Sequence, residues 1–382
     1  MSNNPLFRNT VIAYLLAMAC FSETARALED LLQYVFVVNQ DSGEVVVVDT
    51  DSDTVVERIR LPSAPDEIIL SEKSRKLLSS NLAGKTVTIT SLDSLGQDAV
   101  ITLDFPPTRM RLGSAGRLLV VGNRDISAIS IIDLETGQES HYIDGLEKPD
   151  YFIFGRDERF LYVASEDATR LQVVDVGSGE IQEDIPLVQA DTGKEGVALV
   201  SALARTPGGQ LGMVLRKDDA VMDVVDLRDN SRIKSVALSG SVDRIYPSAN
   251  NQYLIIPDND SGDVSVFSTW SLRELGVVPG APDAAAVSIA LFDSIAFVVS
   301  RERSSVLVFS IDDRRKLADI PMPAVPADSV VSVDGLKIYV ALPGSGQLAV
   351  IDAIKLEVIA MIDDVGERPV DVITVRDLSY CH

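Results

Sequence analysis

Histidine is nearly missing from this 382-residue chain, which holds only His141 and His382. Chemistry that needs a histidine base or a histidine-ligated metal or haem therefore has almost no material. Cysteine is equally scarce: Cys20 and Cys381 make no disulfide framework and no C-x-x-C motif. Nor is there a G-x-S-x-G elbow, an H-E-x-x-H pair or a Walker loop. Aromatic residues amount to 5%, with Trp270 the one tryptophan, which argues against a carbohydrate-binding lectin. The formal charge of −23 repels nucleic acid and anionic lipid. No stretch offers the ~20 uninterrupted apolar residues of a transmembrane helix. No catalytic residue, cofactor or metal site is expected.

Near the start, Arg8 precedes an apolar run from Val11 to Phe21, followed by the small-x-small triplet Ala25, Arg26, Ala27. This pattern predicts a signal peptide over residues 1–27 and a periplasmic or secreted protein of the bacterial cell envelope. Cys20 follows Ala17, Met18 and Ala19 as at a lipoprotein processing site, but the usual leucine three residues upstream is absent, so a lipid anchor is not expected.

What the chain has in abundance is repetition. YVFVVNQDSGEVVVVDTDSDTVVERIRL, read from Tyr34, is two β-rich runs around a D-S-G turn, then a second turn and a third run. A polar residue closing the second run recurs at Asp49, Ser91, Asp133, Asp175, Asp226, Ser268, Ser310 and Asp352. The spacing is 42 residues throughout, apart from one interval of 51. Eight units of this length, each with four short strands, predict an all-β fold: an eight-bladed β-propeller with four-stranded blades. A fourth strand, often led by proline as in PDEIIL from Pro65 and PVDVITV from Pro369, is expected innermost. The chain then enters at a second strand and leaves on an inner one, so the C-terminal strand closes the ring non-covalently in a single domain spanning 28–382.

Taken together, YVFVVNQDSGEVVVVDTDSDTVVERIRLPSAPDEIIL, YLIIPDNDSGDVSVF and IYVALPGSGQLAVIDAIKLEVIAMI resemble the repeat of the YVTN family of β-propeller proteins. The resemblance runs from residue 34 to about 376. It implies an exported or surface protein, and relatives of this architecture include haem d1-binding propellers. The degenerate unit LGMVLRKDDAVMDVVDL departs from the pattern.

Strand connections on a rigid ring are the natural place for a ligand. The starts of the inner strands align as Glu67, Arg109, Tyr151, Ala202, Arg244, Ala286, Asp328 and Asp371. Of these, Glu67, Arg109, Tyr151, Arg244, Asp328 and Asp371 form a candidate channel mouth, suited to a small anionic or planar ligand. The same arginines would equally serve to neutralise Asp66, Asp150, Asp243 and Asp371. Turns on that face add Asp41, Glu44, Arg124, Asp125, Glu166, Asp167, Lys217, Asp218, Arg301 and Arg303. The nine extra residues of the fourth unit, with Asp191, Lys194 and Glu195, form a candidate flap. Asp258, Asp260 and Asp263 resemble the start of a calcium loop but lack its later glutamate and read as a turn. His141 falls in an outer strand. The expectation is a non-catalytic module binding a protein partner on the loop face, the alternative being a small-ligand or cofactor-handling propeller.

Overall fold

The computed structural model describes residues 28–165, 169–187, 199–217, 220–240 and 242–375. Apart from a 3-10 turn at Leu31–Gln33, the regular elements among these are thirty-two strands in eight four-stranded antiparallel sheets. We number the sheets as blades 1 to 8 along the chain and letter their strands A to D from the axis outward.

Blades 2 to 8 each use four consecutive strands. Blade 1 takes strands B, C and D from Tyr34–Asn39, Glu44–Asp49 and Thr54–Arg60, and its strand A from Pro369–Ile373. Phe36 faces Ile373 and Val38 faces Asp371, so the chain ends are joined by a ladder of hydrogen bonds rather than a covalent link. The strands A of blades 2 to 8 are Ile68–Ser71, Arg109–Leu112, Tyr151–Phe154, Val200–Arg205, Tyr246–Pro247, Ala284–Ala290 and Asp328–Val331. In blade 6 the inner strand is only two residues long, Tyr246 and Pro247 facing Ile255 and Leu254, and Ser248 N still bonds Tyr253 O at 2.9 Å beyond it.

The eight recurring polar residues have a local cause. Each caps the turn between strands C and D, accepting from backbone amides two or three positions on, as Asp49 does from Asp51 and Ser52 at 3.1 and 2.8 Å. Asp352 does the same at 2.9 and 2.8 Å, and Ser91 substitutes its hydroxyl at 3.2 and 3.3 Å. Four residues after each cap the backbone turns left-handed, at Asp53, Leu95, Gly137, Gly179, Asn230, Leu272, Arg314 and Leu356. A bulge lies just before every cap in the C–D pairing.

Strands B and C are apolar on both faces because each blade packs against two neighbours. In blade 1, Val35, Val37, Val46 and Val48 meet Tyr339 and Val350 of blade 8. Phe36, Val38, Val45 and Val47 meet Ile68, Leu70 and Leu77 of blade 2. Eight such clusters fill the eight interfaces of the ring. Strands D alternate instead, as in the exposed Val56 and buried Ile59 of blade 1, since only one of their faces is covered.

Candidate functional site

Antiparallel order puts the D–A connections and B–C turns at one end of the axis and the A–B and C–D turns at the other. The expected channel-mouth residues all belong to the first end. Glu67 accepts from the Met110 amide of the next blade at 2.7 Å, and Asp328 from the Val372 amide at 2.9 Å. Arg244 donates to the Ala285 carbonyl. Arg109 and Arg124 lie 3.6 and 3.4 Å from the carboxylate of Asp150, which is 1% exposed. Tyr151 is half-buried and packs partly against the cluster between blades 4 and 5. Asp371 sits within strand A of blade 1, opposite Val38. Glu67, Arg109, Arg244 and Asp328 thus each contact the next blade.

Glu67 has an unusual proton affinity. Burial raises its pKa from 4.5 to about 7, against the opposing pull of Arg111 and Arg109 and of the Met110 amide. The turns on this face are paired as well: Lys217 with Asp243 at 2.9 Å, Arg301 with Asp283 at 2.7 Å, Arg303 with Asp319 at 3.1 Å and Arg368 with Asp41 at 2.9 Å. Asp258 caps its own turn, accepting from Asp260 N and Ser261 Oγ at 3.0 and 2.7 Å. Among the described residues no group of three or more His, Cys, Asp or Glu is placed to hold a metal ion. His141 is half-buried on strand D of blade 3. Asp191, Lys194, Glu195, Glu166, Asp167, Asp218, Cys20, Cys381 and His382 lie outside the described residues.

A cavity of about 700 Å³ occupies the opposite half of the axis and opens among the A–B turns. Its walls come from the inner strands and carry Ile69, Leu112, Val287, Ile289, Val331 and Val375, with the hydroxyls of Ser71, Ser288, Ser332 and Thr374. Every charged side chain on the wall already has a partner in the protein. Arg111 Nε donates to Phe152 O at 3.1 Å and Lys73 Nζ to Ser114 O at 2.6 Å. Asp293 accepts from the Ala249 and Asn250 amides at 3.0 and 2.7 Å, Asp334 from Ser332 and Leu336 at 2.6 and 3.0 Å, and Glu72 is engaged too. What remains is an aliphatic space with a few hydroxyls, within the ~300–1,000 Å³ of ordinary small-molecule sites.

The rim of this opening has one irregular turn. Leu291, Phe292 and Asp293 of blade 7 are consecutively left-handed, with φ of 50, 57 and 63°. Each such non-glycine residue costs about 1–2 kcal/mol. Phe292 is 97% exposed, and Trp270, Leu336 and Ile354 are exposed on the same face of blades 6 and 8. Sequence reasoning placed the mouth at the other end. The available signal was the turn LFDS, the one A–B turn with an aromatic residue.

Eight four-stranded blades around an axial cavity define an eight-bladed β-propeller. Among solved structures, the chain is similar to one described as dihydro-heme d1 dehydrogenase NirN in complex with DHE. They share 17% identity over 91% of this chain and 76% of that one, with a TM-score of 0.76. It also resembles hydrazine synthase of Kuenenia stuttgartiensis, at 17% identity over 76% of this chain and 95% of that one, TM-score 0.56. A functionally unknown protein from Desulfotomaculum acetoxidans matches at 11% identity over 75% and 95%, TM-score 0.56. No family model matches the chain, and no curated protein matches it. At these identities the likeness is one of fold.

Proposed function

We propose that this is an exported, non-catalytic propeller of the YVTN kind that holds a small, largely apolar molecule in its axial cavity. The observation that carries the reading is the cavity itself: about 700 Å³, walled by aliphatic side chains whose charged neighbours are all engaged. Burial of apolar ligand surface supplies the affinity, since the wall hydroxyls of Ser71, Ser288 and Ser332 are themselves bonded to Gly116 O, Ser329 Oγ and Asp334 Oδ1. The similar propeller described in complex with DHE supports a small-ligand role for this architecture. Catalysis is disfavoured because the one histidine among the described residues, His141, is on an outer strand. Export rests on Arg8, the Val11–Phe21 run and the Ala25–Ala27 triplet.

Titration with N-phenylnaphthylamine, an uncharged apolar fluorophore, tests this. Saturable fluorescence enhancement in the wild type and its loss in Ile289→Trp, which fills the cavity, is the expected result. Equal enhancement in both proteins removes the cavity from the account.

The second reading, a protein partner, is favoured by the exposed Trp270, Leu336 and Ile354 on the cavity's face. It moves the partner from the D–A loop face to the opposite one. Pull-down from envelope extract with wild type and with Trp270→Ser distinguishes it, the partner being lost only from the variant.

A further inference from the structure

Resting on the reading that the axial cavity takes a small molecule, we propose that Phe292 is a specificity-determining residue that stacks on the outer end of a ring-bearing ligand protruding from the cavity.

Seven A–B turns surround the axis, and six of them are built alike. EKSR, GSAGR, GRDER, TPGGQ, SANNQ and SVDGL contain no aromatic residue. Each holds a single left-handed residue, at Arg75, Gly116, Glu158, Gly209, Asn251 and Gly335. Blade 7 departs twice at the same place. Its turn is LFDS, and Leu291, Phe292 and Asp293 form the one run of consecutive left-handed residues among those described. Strain of this kind persists only where the surroundings enforce it. Here they do: the Asp293 carboxylate is held by two amides of blade 6, Leu291 N reaches Gly335 O of blade 8, and Ser294 Oγ donates to Leu291 O at 2.6 Å.

The outcome of that enforcement is an aromatic ring carried at the rim. Phe292 borders the cavity and is 97% exposed, so neither core packing nor solubility accounts for it. An asparagine would suit the left-handed backbone better and a serine would suit the solvent better. A phenyl face beside an apolar cavity does one thing those residues cannot: it offers a flat surface to a second ring. The class of ligand follows, a molecule whose body is apolar enough for walls of Ile289 and Val287 and whose exposed end is a flat ring.

The test uses the full mature chain with N-phenylnaphthylamine, which has two ring systems, and with dodecanol, which has none, as a competitor read by displacement. Phe292→Asn is expected to bind the fluorophore about threefold to tenfold more weakly, a stacking-sized loss, while its melting temperature stays equal or rises as backbone strain is relieved. Phe292→Tyr restores wild-type affinity, and dodecanol affinity is the same in all three. Unchanged fluorophore affinity in Phe292→Asn overturns the proposal, as does equal weakening of dodecanol or a fall in melting temperature that tracks the lost affinity. Ile289→Trp separates the two levels: if it binds like wild type the cavity reading fails, whereas if it loses binding and Phe292→Asn does not, only the stacking role fails.

Discussion

The Tyr339 hydroxyl donates to Asp53 Oδ1 at 2.6 Å, joining residues 286 positions apart across the seam where blade 8 meets blade 1. Lys337 reaches the other oxygen of the same carboxylate at 2.8 Å. Burial, followed by the hydrogen bond to Asp53, keeps the tyrosine hydroxyl protonated far beyond its ordinary range. The same device recurs inside the ring, where Tyr162 meets Asn230 at 2.6 Å and Leu227 O at 3.0 Å, and Tyr253 meets Asp312 at 2.6 Å. Tyr339→Phe is expected to cost about 1.5–3 kcal/mol, a hydrogen bond to a charged acceptor. Tyr162→Phe should cost a similar amount and the more exposed Tyr253→Phe less, an order that denaturant melts of the three variants check.

The caps of the C–D turns should be separable from packing. Asp175 holds the Gly177 and Ser178 amides at 3.0 and 3.1 Å, and the Ser178 amide first among these contacts keeps its carboxyl below the usual range. Asp175→Ala is expected to destabilise by about 1 kcal/mol and Asp175→Asn by less, as an amide oxygen still caps. The readout is again a denaturant melt.

Acid should favour the ring at one residue. Because burial raises the Glu67 pKa to about 7, the folded chain keeps a proton between pH 4.5 and 7 that the unfolded chain has released. Its contribution is therefore fully present below about pH 4.5 and is lost as the pH rises through 7. Glu67→Gln keeps an oxygen for the Met110 amide and removes the ionisation. The variant should match wild type at about pH 4 and exceed its stability by about 1–3 kcal/mol at pH 8. A constant difference at both pH values contradicts the assignment.

Arg109 is expected to act on stability and not on ligand. Its loss removes one of the cations beside Asp150, whose carboxylate is 1% exposed. Arg109→Ala should cost about 1–3 kcal/mol while N-phenylnaphthylamine affinity holds. Weaker probe binding at unchanged stability returns the ligand to the D–A end of the axis.

The ring was readable from sequence because its signals are local. Asp49 and its seven counterparts bond amides within three residues of themselves, so they recur at a fixed spacing whatever the neighbouring blades contain. Closure was readable too, since an unpaired strand at Pro369–Ile373 matches a unit at Tyr34 that lacks its inner strand. The site was not. Glu67 meets Met110, and Asp328 meets Val372, at separations over forty residues, and nothing in either segment distinguishes a ligand-gripping carboxylate from one that latches inner strands. The cavity is lined by residues of six blades, from Ile69 to Val375, that only the closed ring brings together. Only Phe292, an aromatic residue in a tight turn, marked its rim.

What the axis holds decides between a ligand-binding propeller and an empty ring. Native mass spectrometry of the protein purified from its own cells, with Ile289→Trp prepared in parallel, reads this directly. A stoichiometric small-molecule adduct on the wild type, released by organic solvent and absent from the cavity-filled variant, is the predicted result. Identical adduct-free spectra, or an adduct retained by Ile289→Trp, would contradict it.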